Sequence, residues 1–335
     1  MKTKQGLDEK TKVGVTMSSP DTLLIPHRAS VERLRLRHLL MRAEWRLLVL
    51  VGLVCAACVV NATARDQAVA WWDFLPAFGA SVLLIAIGMY IRATRPMPQL
   101  ALGAIGFGVF MAFTGSVAIF IYTLFPVANP LIDASLMRAD AALGYVWTDF
   151  VGLIARHAGV GIGLRYVYLS ILPQMVGVII LLAALNRPGV LHRFLTVGIV
   201  CMLVTLGFWW ICPSVGPGAY AAVSDEIQSR INLVLDAAYG AELRRLTREG
   251  LPLITPDRIT GVIAFPSFHM VMACMVVWFT WGTWAFRPAL VINIAMVPAT
   301  LSHGGHHLVD VLAGIVTFAM CVWWVNRLVP LQAAD

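Results

Sequence analysis

Lysine vanishes from this chain after residue 12: all four, Lys2, Lys4, Lys10 and Lys12, fall in the first dozen of 335 residues. Charge of either sign is thin beyond them, since Asp, Glu, Lys and Arg make up 13% of the chain against 59% apolar residues. A mean hydropathy of +0.79 lies outside the range of soluble globular domains. The net charge of +7 does not point to nucleic acid, because the excess sits in the N-terminal stretch and at the ends of apolar runs. A disulfide framework has little support, as all six cysteines lie within or beside apolar runs. Cys55 and Cys58, though spaced like a redox pair, read as packing residues. Neither an internal repeat nor a low-complexity segment is present.

What the chain does have is long apolar runs, and about 20 such residues span the hydrocarbon core of a bilayer. Eight runs qualify: 46–63, 74–91, 100–125, 167–186, 194–213, 267–286, 288–302 and 308–326. The shortest, 288–302, contains Pro298, which suggests a kinked or cavity-lining helix. The expected fold is therefore an all-α integral membrane protein with about eight transmembrane helices. Arginine marks the inner side. Arg28, Arg33, Arg35, Arg37, Arg42 and Arg46 precede or open the first run. Arg92 and Arg95 follow the second, Arg187 and Arg193 the fourth, Arg287 the sixth, and Arg327 the last. Both termini are thus expected in the cytoplasm, with the first apolar run too deep and too long for a signal peptide. Residues 1–29 read as a disordered tail. Residues 30–45 form either a basic amphipathic helix on the inner membrane surface or a solvated entry to the first span. Residues 46–125 make N-terminal scaffold helices, 126–326 the catalytic membrane domain, and 327–335 a cytoplasmic end.

Two polar clusters interrupt this pattern, Pro266-Ser267-Phe268-His269 and His303-Gly304-Gly305-His306-His307-Leu308-Val309-Asp310. If the last three runs cross alternately, the clusters open the first and third on one side and so can meet. That side is the outer one, the periplasm in a Gram-negative inner membrane. Two outer segments accompany them. Residues 126–163 mix Asp133, Arg138, Asp140, Asp149 and Arg156 with apolar residues at helical spacing, as helices in the interface would, and Tyr145 and Trp147 suit the headgroup level. Residues 214–265 form the longest polar stretch, and so long a connection is more often functional than idle.

The chemistry follows from residue types. His306 and Asp310 are four apart, so a helix stacks them on one face. A carboxylate on one imidazole nitrogen fixes the tautomer and leaves the other as nucleophile or base. Pro266 can begin a helix whose first N–H groups favour an anion, with the Ser267 hydroxyl beside them. His269, one turn in, can donate a proton. Together these make a site for phosphoryl transfer through a phosphohistidine. A zinc site built from His303, His306, Asp310 and His269 is the runner-up. A transporter, which would need charges deep in several spans, is a weaker third.

These clusters, with Gly305-His306-His307-Leu308-Val309-Asp310-Val311 as the second, resemble the second and third motifs of the type 2 phosphatidic acid phosphatase superfamily. The nearest resemblance is to its inositol phosphorylceramide synthase-like branch. The likeness runs from about 126 to 326 and takes in LIDASLMRADAALGYVW. It implies a six-helix core, His306 as nucleophile, Asp310 as its orienting partner, and His269 as the acid for the leaving oxygen. Ser267, Phe268, Gly305 and backbone amides would hold the phosphate, with no metal and no other cofactor. The partners implied are a membrane lipid phosphate and, for a transferase, a polyol acceptor such as inositol. The chain departs from the superfamily pattern at Phe268 (Gly in relatives), Thr300 (Arg), His307 (Tyr) and in lacking the first-motif lysine. Its phosphate-binding cations must then lie elsewhere, and Arg258, Arg244, Arg245 and Arg248 are the expected sources. Trp209, Trp210, Phe265 and Phe268 are candidates to line an acyl groove, while His303 and His307 flank the site.

Overall fold

The computed structural model describes residues 39–328. The expected tail, most of the 30–45 helix and the last residues of the chain lie outside that range. Among the described residues there are thirteen α-helices and no strand, only an isolated bridge between Val69 and Ile254.

The eight apolar runs all fold as helices. They are α1 (Arg42–Ala64), α2 (Trp71–Thr94), α3 (Pro98–Tyr122), a bent pair preceding α8, then α8 itself (Pro188–Ile211), and three more at the C-terminal end. The bent pair is α6 (Ala158–Leu169) and α7 (Ile171–Ala184), which meet at 49°. Pro173 explains the bend, since it has no N–H for the Leu169 carbonyl four residues back. The C-terminal three are α11 (Phe268–Thr280), α12 (Phe286–His303) and α13 (Leu308–Leu328). Five of these helices are long and apolar enough to cross a membrane, six with the bent pair taken as one span. Helices α11, of 13 residues, and α12, with Pro298 inside it, fall outside that set. The protein is an all-α membrane protein.

The outer segments fold into short helices: α4 (Asp133–Ala142), α5 (Trp147–Ala155), α9 (Asp225–Ile231) and α10 (Ala237–Glu249). Ser224 and Asp236 cap α9 and α10, their side chains accepting from Ile227 N–H and Tyr239 N–H. Single-turn 3-10 helices lie at Pro217–Ala219 and Pro256–Arg258.

Alternation of the helices gives the bundle two ends. At one, the Arg92 guanidinium grips the Glu44 carboxylate through both of its oxygens at 2.6 and 2.8 Å, and His192 Nε2 lies 3.4 Å from the same group. That buried ion pair ties α1, α2 and α8 together. At the other end, Arg65 donates to the Pro126 carbonyl, Gln67 to the Leu251 carbonyl, and Ile132 N–H to the Pro213 carbonyl. Here the 214–265 stretch folds over the helix ends as a cap, and Leu235 N–H bonds the carbonyl of His303. Both polar clusters sit beneath it.

Candidate active site

The two clusters meet where α11 and α13 begin. Ser267 N–H donates to the Asp310 carbonyl at 3.0 Å, joining the first residues of the two helices. Gly314, one turn past Asp310, makes the approach possible, because a Cβ there would strike the Ser267 carbonyl oxygen. Ser267, His303, His307 and Asp310 are fully buried, and His306 nearly so.

Asp310 Oδ2 accepts the His306 Nδ1–H at 3.1 Å and the His307 backbone N–H at 2.9 Å. A carboxylate has only lone pairs to offer, so Nδ1 carries the proton and Nε2 is left as the free lone pair. Nε2 faces Ser267 Oγ at 3.5 Å, the outer limit of a hydrogen bond. His269, one turn into α11, has its ring centre 6.2 Å from that of His306 and stacks on Tyr168 at 4.3 Å. The protein thus places a lone-pair imidazole, a hydroxyl and a second imidazole around one point.

Behind this trio lies a buried charged layer. Asp133 and Asp140 are two turns apart on one face of α4. His307 Nδ1 donates to Asp140 Oδ2 at 2.8 Å, and His307 Nε2 is 3.6 Å from Asp133 Oδ1. The other Asp140 oxygen accepts Val309 N–H at 3.1 Å. Asp133 accepts the Ser214 hydroxyl at 2.8 Å and the N–H groups of Val215 and Gly216 at 3.1 and 2.8 Å. Those contacts hold Gly216, at φ +84°, against the Gly305 carbonyl so closely that a side chain would collide with it. Burial by itself would lower the basicity of His307, but Asp133, Asp310 and Asp140 outweigh it and raise its pKa above 6.5. His303, the flanking histidine, donates from Nε2 to the Gly161 carbonyl at 2.9 Å.

Several expectations change here. Trp147 does not face the lipid headgroups: it is buried inside the protein and its indole N–H donates to the Leu301 carbonyl at 3.0 Å. Tyr145 likewise turns inward, its hydroxyl donating to the His306 carbonyl at 3.4 Å. Asp133 and Asp140, met in the sequence only as part of an interfacial segment, belong to the site. Two acids in helical register within a chain so poor in charge were the signal available.

Among the described residues, none of the four expected arginines bonds the histidine cluster. Arg245 is engaged by Glu242 at 2.6 Å and Glu249 at 3.5 Å, and Arg258 is exposed beside Asp257 at 3.7 Å. Arg248 is exposed and Arg244 half-buried near Tyr220. Phe268 begins α11 and packs against the core, and Gly305, at φ +56°, turns the chain into His306. A groove of about 1300 Å³ runs between α8, α11, α12 and α13. Its walls include Met270, Cys274, Trp278, Pro298 and Phe318, rather than Trp209, which is buried against Phe125. No group of three or more histidine, cysteine or acidic side chains among the described residues is arranged to hold a metal ion, and His303 and His306 each commit a nitrogen to a protein acceptor.

A family model described as the PAP2 superfamily matches residues 134–324. No curated protein and no solved structure matches the chain.

Proposed function

The chain belongs to the PAP2 superfamily, whose match takes in more than half of it, and from that premise we propose that it cleaves a lipid-linked phosphate through a phosphohistidine on His306. The observation that carries the proposal is the Asp310–His306 bond, which leaves Nε2 unprotonated next to Ser267 Oγ. Nε2 attacks phosphorus, the bond from phosphorus to the lipid oxygen breaks, and His269 gives that oxygen its proton. Water or an alcohol then attacks the phosphohistidine and passes its own proton to His269, which restores both imidazoles. Ser267 Oγ and the first N–H groups of α11 receive the phosphate oxygens.

A lipid substrate is supported by the groove, whose apolar wall reaches Met270, next to His269. Membership of the superfamily supports phosphatase-type activity in general. The inositol phosphorylceramide synthase-like branch, with inositol as acceptor, is the narrower proposal and rests on the motif departures alone. We place the reaction at the outer leaflet, by the distribution of arginine.

The test is phosphate release from a panel of lipid phosphates by the purified protein, with and without EDTA, with and without inositol, beside His306→Ala. Free phosphate that disappears in the variant identifies a phosphatase. An inositol phosphate that forms only when inositol is present, without free phosphate, identifies a transferase. Full activity in His306→Ala, or activity abolished by EDTA alone, rejects the phosphohistidine.

A further inference from the structure

Transfer of a phosphoryl group from a buried site needs positive charge on the phosphate oxygens, and neither lysine nor the four arginines of the capping stretch provides it by contact with the histidine cluster. Helix α6 does. Gly161, Arg165 and Tyr168 are spaced four and three residues apart, so they share one helical face. Both neighbours of Arg165 on that face are fixed in the site. The Gly161 carbonyl accepts from His303 at 2.9 Å, and the Tyr168 ring stacks on His269 at 4.3 Å. Tyr168 also crowds Gly304 so tightly that a Cβ there would lie 2.8 Å from both the Tyr168 ring and His306 Cδ2. The face bearing Arg165 therefore spans from the flanking His303 to His269. Its guanidinium lies within electrostatic reach of His303, and its Nε is buried without a hydrogen-bond partner. A buried guanidinium N–H left unbonded is costly, and an arriving anion would satisfy it.

We infer that Arg165 is the cation that clamps the phosphate of the substrate, a planar fork suited to two oxygens at once. This rests on the phosphohistidine reading, in which the phosphate lies between His269 and His306. Arg165 then neutralises charge as the bond from phosphorus to the lipid oxygen breaks, and Tyr168, on the same face, holds His269 at the leaving oxygen.

The experiment compares Arg165→Gln, Arg165→Lys, Arg244→Gln and His306→Ala with the parent protein. It measures kcat/KM on a lipid phosphate and inhibition by orthovanadate, with thermal stability as the folding control. Arg165→Gln is expected to fold, to lose about 10²–10³-fold in kcat/KM, and to bind orthovanadate correspondingly less well. Arg165→Lys should recover part of both, since it restores charge but not the fork. Unchanged kcat/KM and orthovanadate inhibition in Arg165→Gln overturn the inference, as does a loss confined to Arg244→Gln, which would move the clamp to α10. Should the Gln variant fail to fold, Arg165→Lys decides: inhibition weakened about tenfold, or ~1.4 kcal/mol, supports the clamp, and equal inhibition rejects it. His306→Ala separates the two claims. Activity retained there rejects the phosphohistidine itself, whereas an inactive His306→Ala beside a fully active Arg165→Gln rejects only the clamp.

Discussion

Among the described histidines, His307 differs in having a carboxylate near each ring nitrogen, Asp140 at Nδ1 and Asp133 at Nε2, with Asp310 bonded to its backbone N–H. Burial opposes its protonation, and the three acids more than offset that. A histidine whose folded pKa is raised stabilises the fold below the unfolded value, here 6.5, and the contribution is lost as pH rises through the folded value. Thermal denaturation of the detergent-solubilised protein should therefore show the melting temperature falling as pH climbs from below 6.5. His307→Gln should melt lower at acid pH and lose that slope. A variant that keeps the slope would assign the titration to another group. At Asp310 the expectation is catalytic: Asp310→Asn presents an amide that can leave His306 in the wrong tautomer, for a loss in kcat on the order of 10⁴-fold. Phosphohistidine trapping after acid-free quench should detect none in that variant. The partnership of His306 with Asp310 was legible in the sequence because four residues make one helical turn. That of His307 with Asp133 and Asp140 was not, as it joins side chains more than 160 positions apart.

Helices α11 and α13 approach so closely that the Ser267 carbonyl lies over Gly314. Gly314→Val should force the two helices apart at a cost of about 1–3 kcal/mol and pull the Ser267 amide off the Asp310 carbonyl. The expected result is a lower melting temperature together with loss of phosphate release; parent-like activity would show that the two motifs do not need this contact. Element positions followed from apolar runs, and each of the eight runs is helical. Their shapes did not follow as directly. Pro173 divides one run into α6 and α7, and α11 ends at Thr280 although apolar residues continue through Trp281 and Phe286. The register of α6, which sets Arg165 and Tyr168 on the site face, shows only when Gly161 is seen against His303.

Across the whole molecule, the helix ends sort into one set around Glu44 and Arg92 and another around the histidines. The expected sidedness puts the Glu44 end in the cytoplasm. A reporter that fluoresces only in the cytoplasm should light up when fused after Arg327, and one active only outside should work when inserted into the 64–71 loop. The reverse pattern would invert the protein and put its site on the inner face.

Hydropathy and composition by themselves determined that the chain is an all-helical membrane protein, because uncharged runs of this length have no other way to satisfy their backbone groups within lipid. Motif spacing alone also picked out His269, His306 and Asp310, since local helical geometry links the latter two and alternating spans bring in the first. Tertiary structure alone decided the surroundings: Asp133 and Asp140 behind His307, Trp147 and Tyr145 turned inward, the arginines of the cap held away from the histidines, and the Nε of Arg165 buried without a partner. These contacts join segments far apart in the chain, and which buried charges meet depends on helix rotation and loop closure, which hydropathy does not encode.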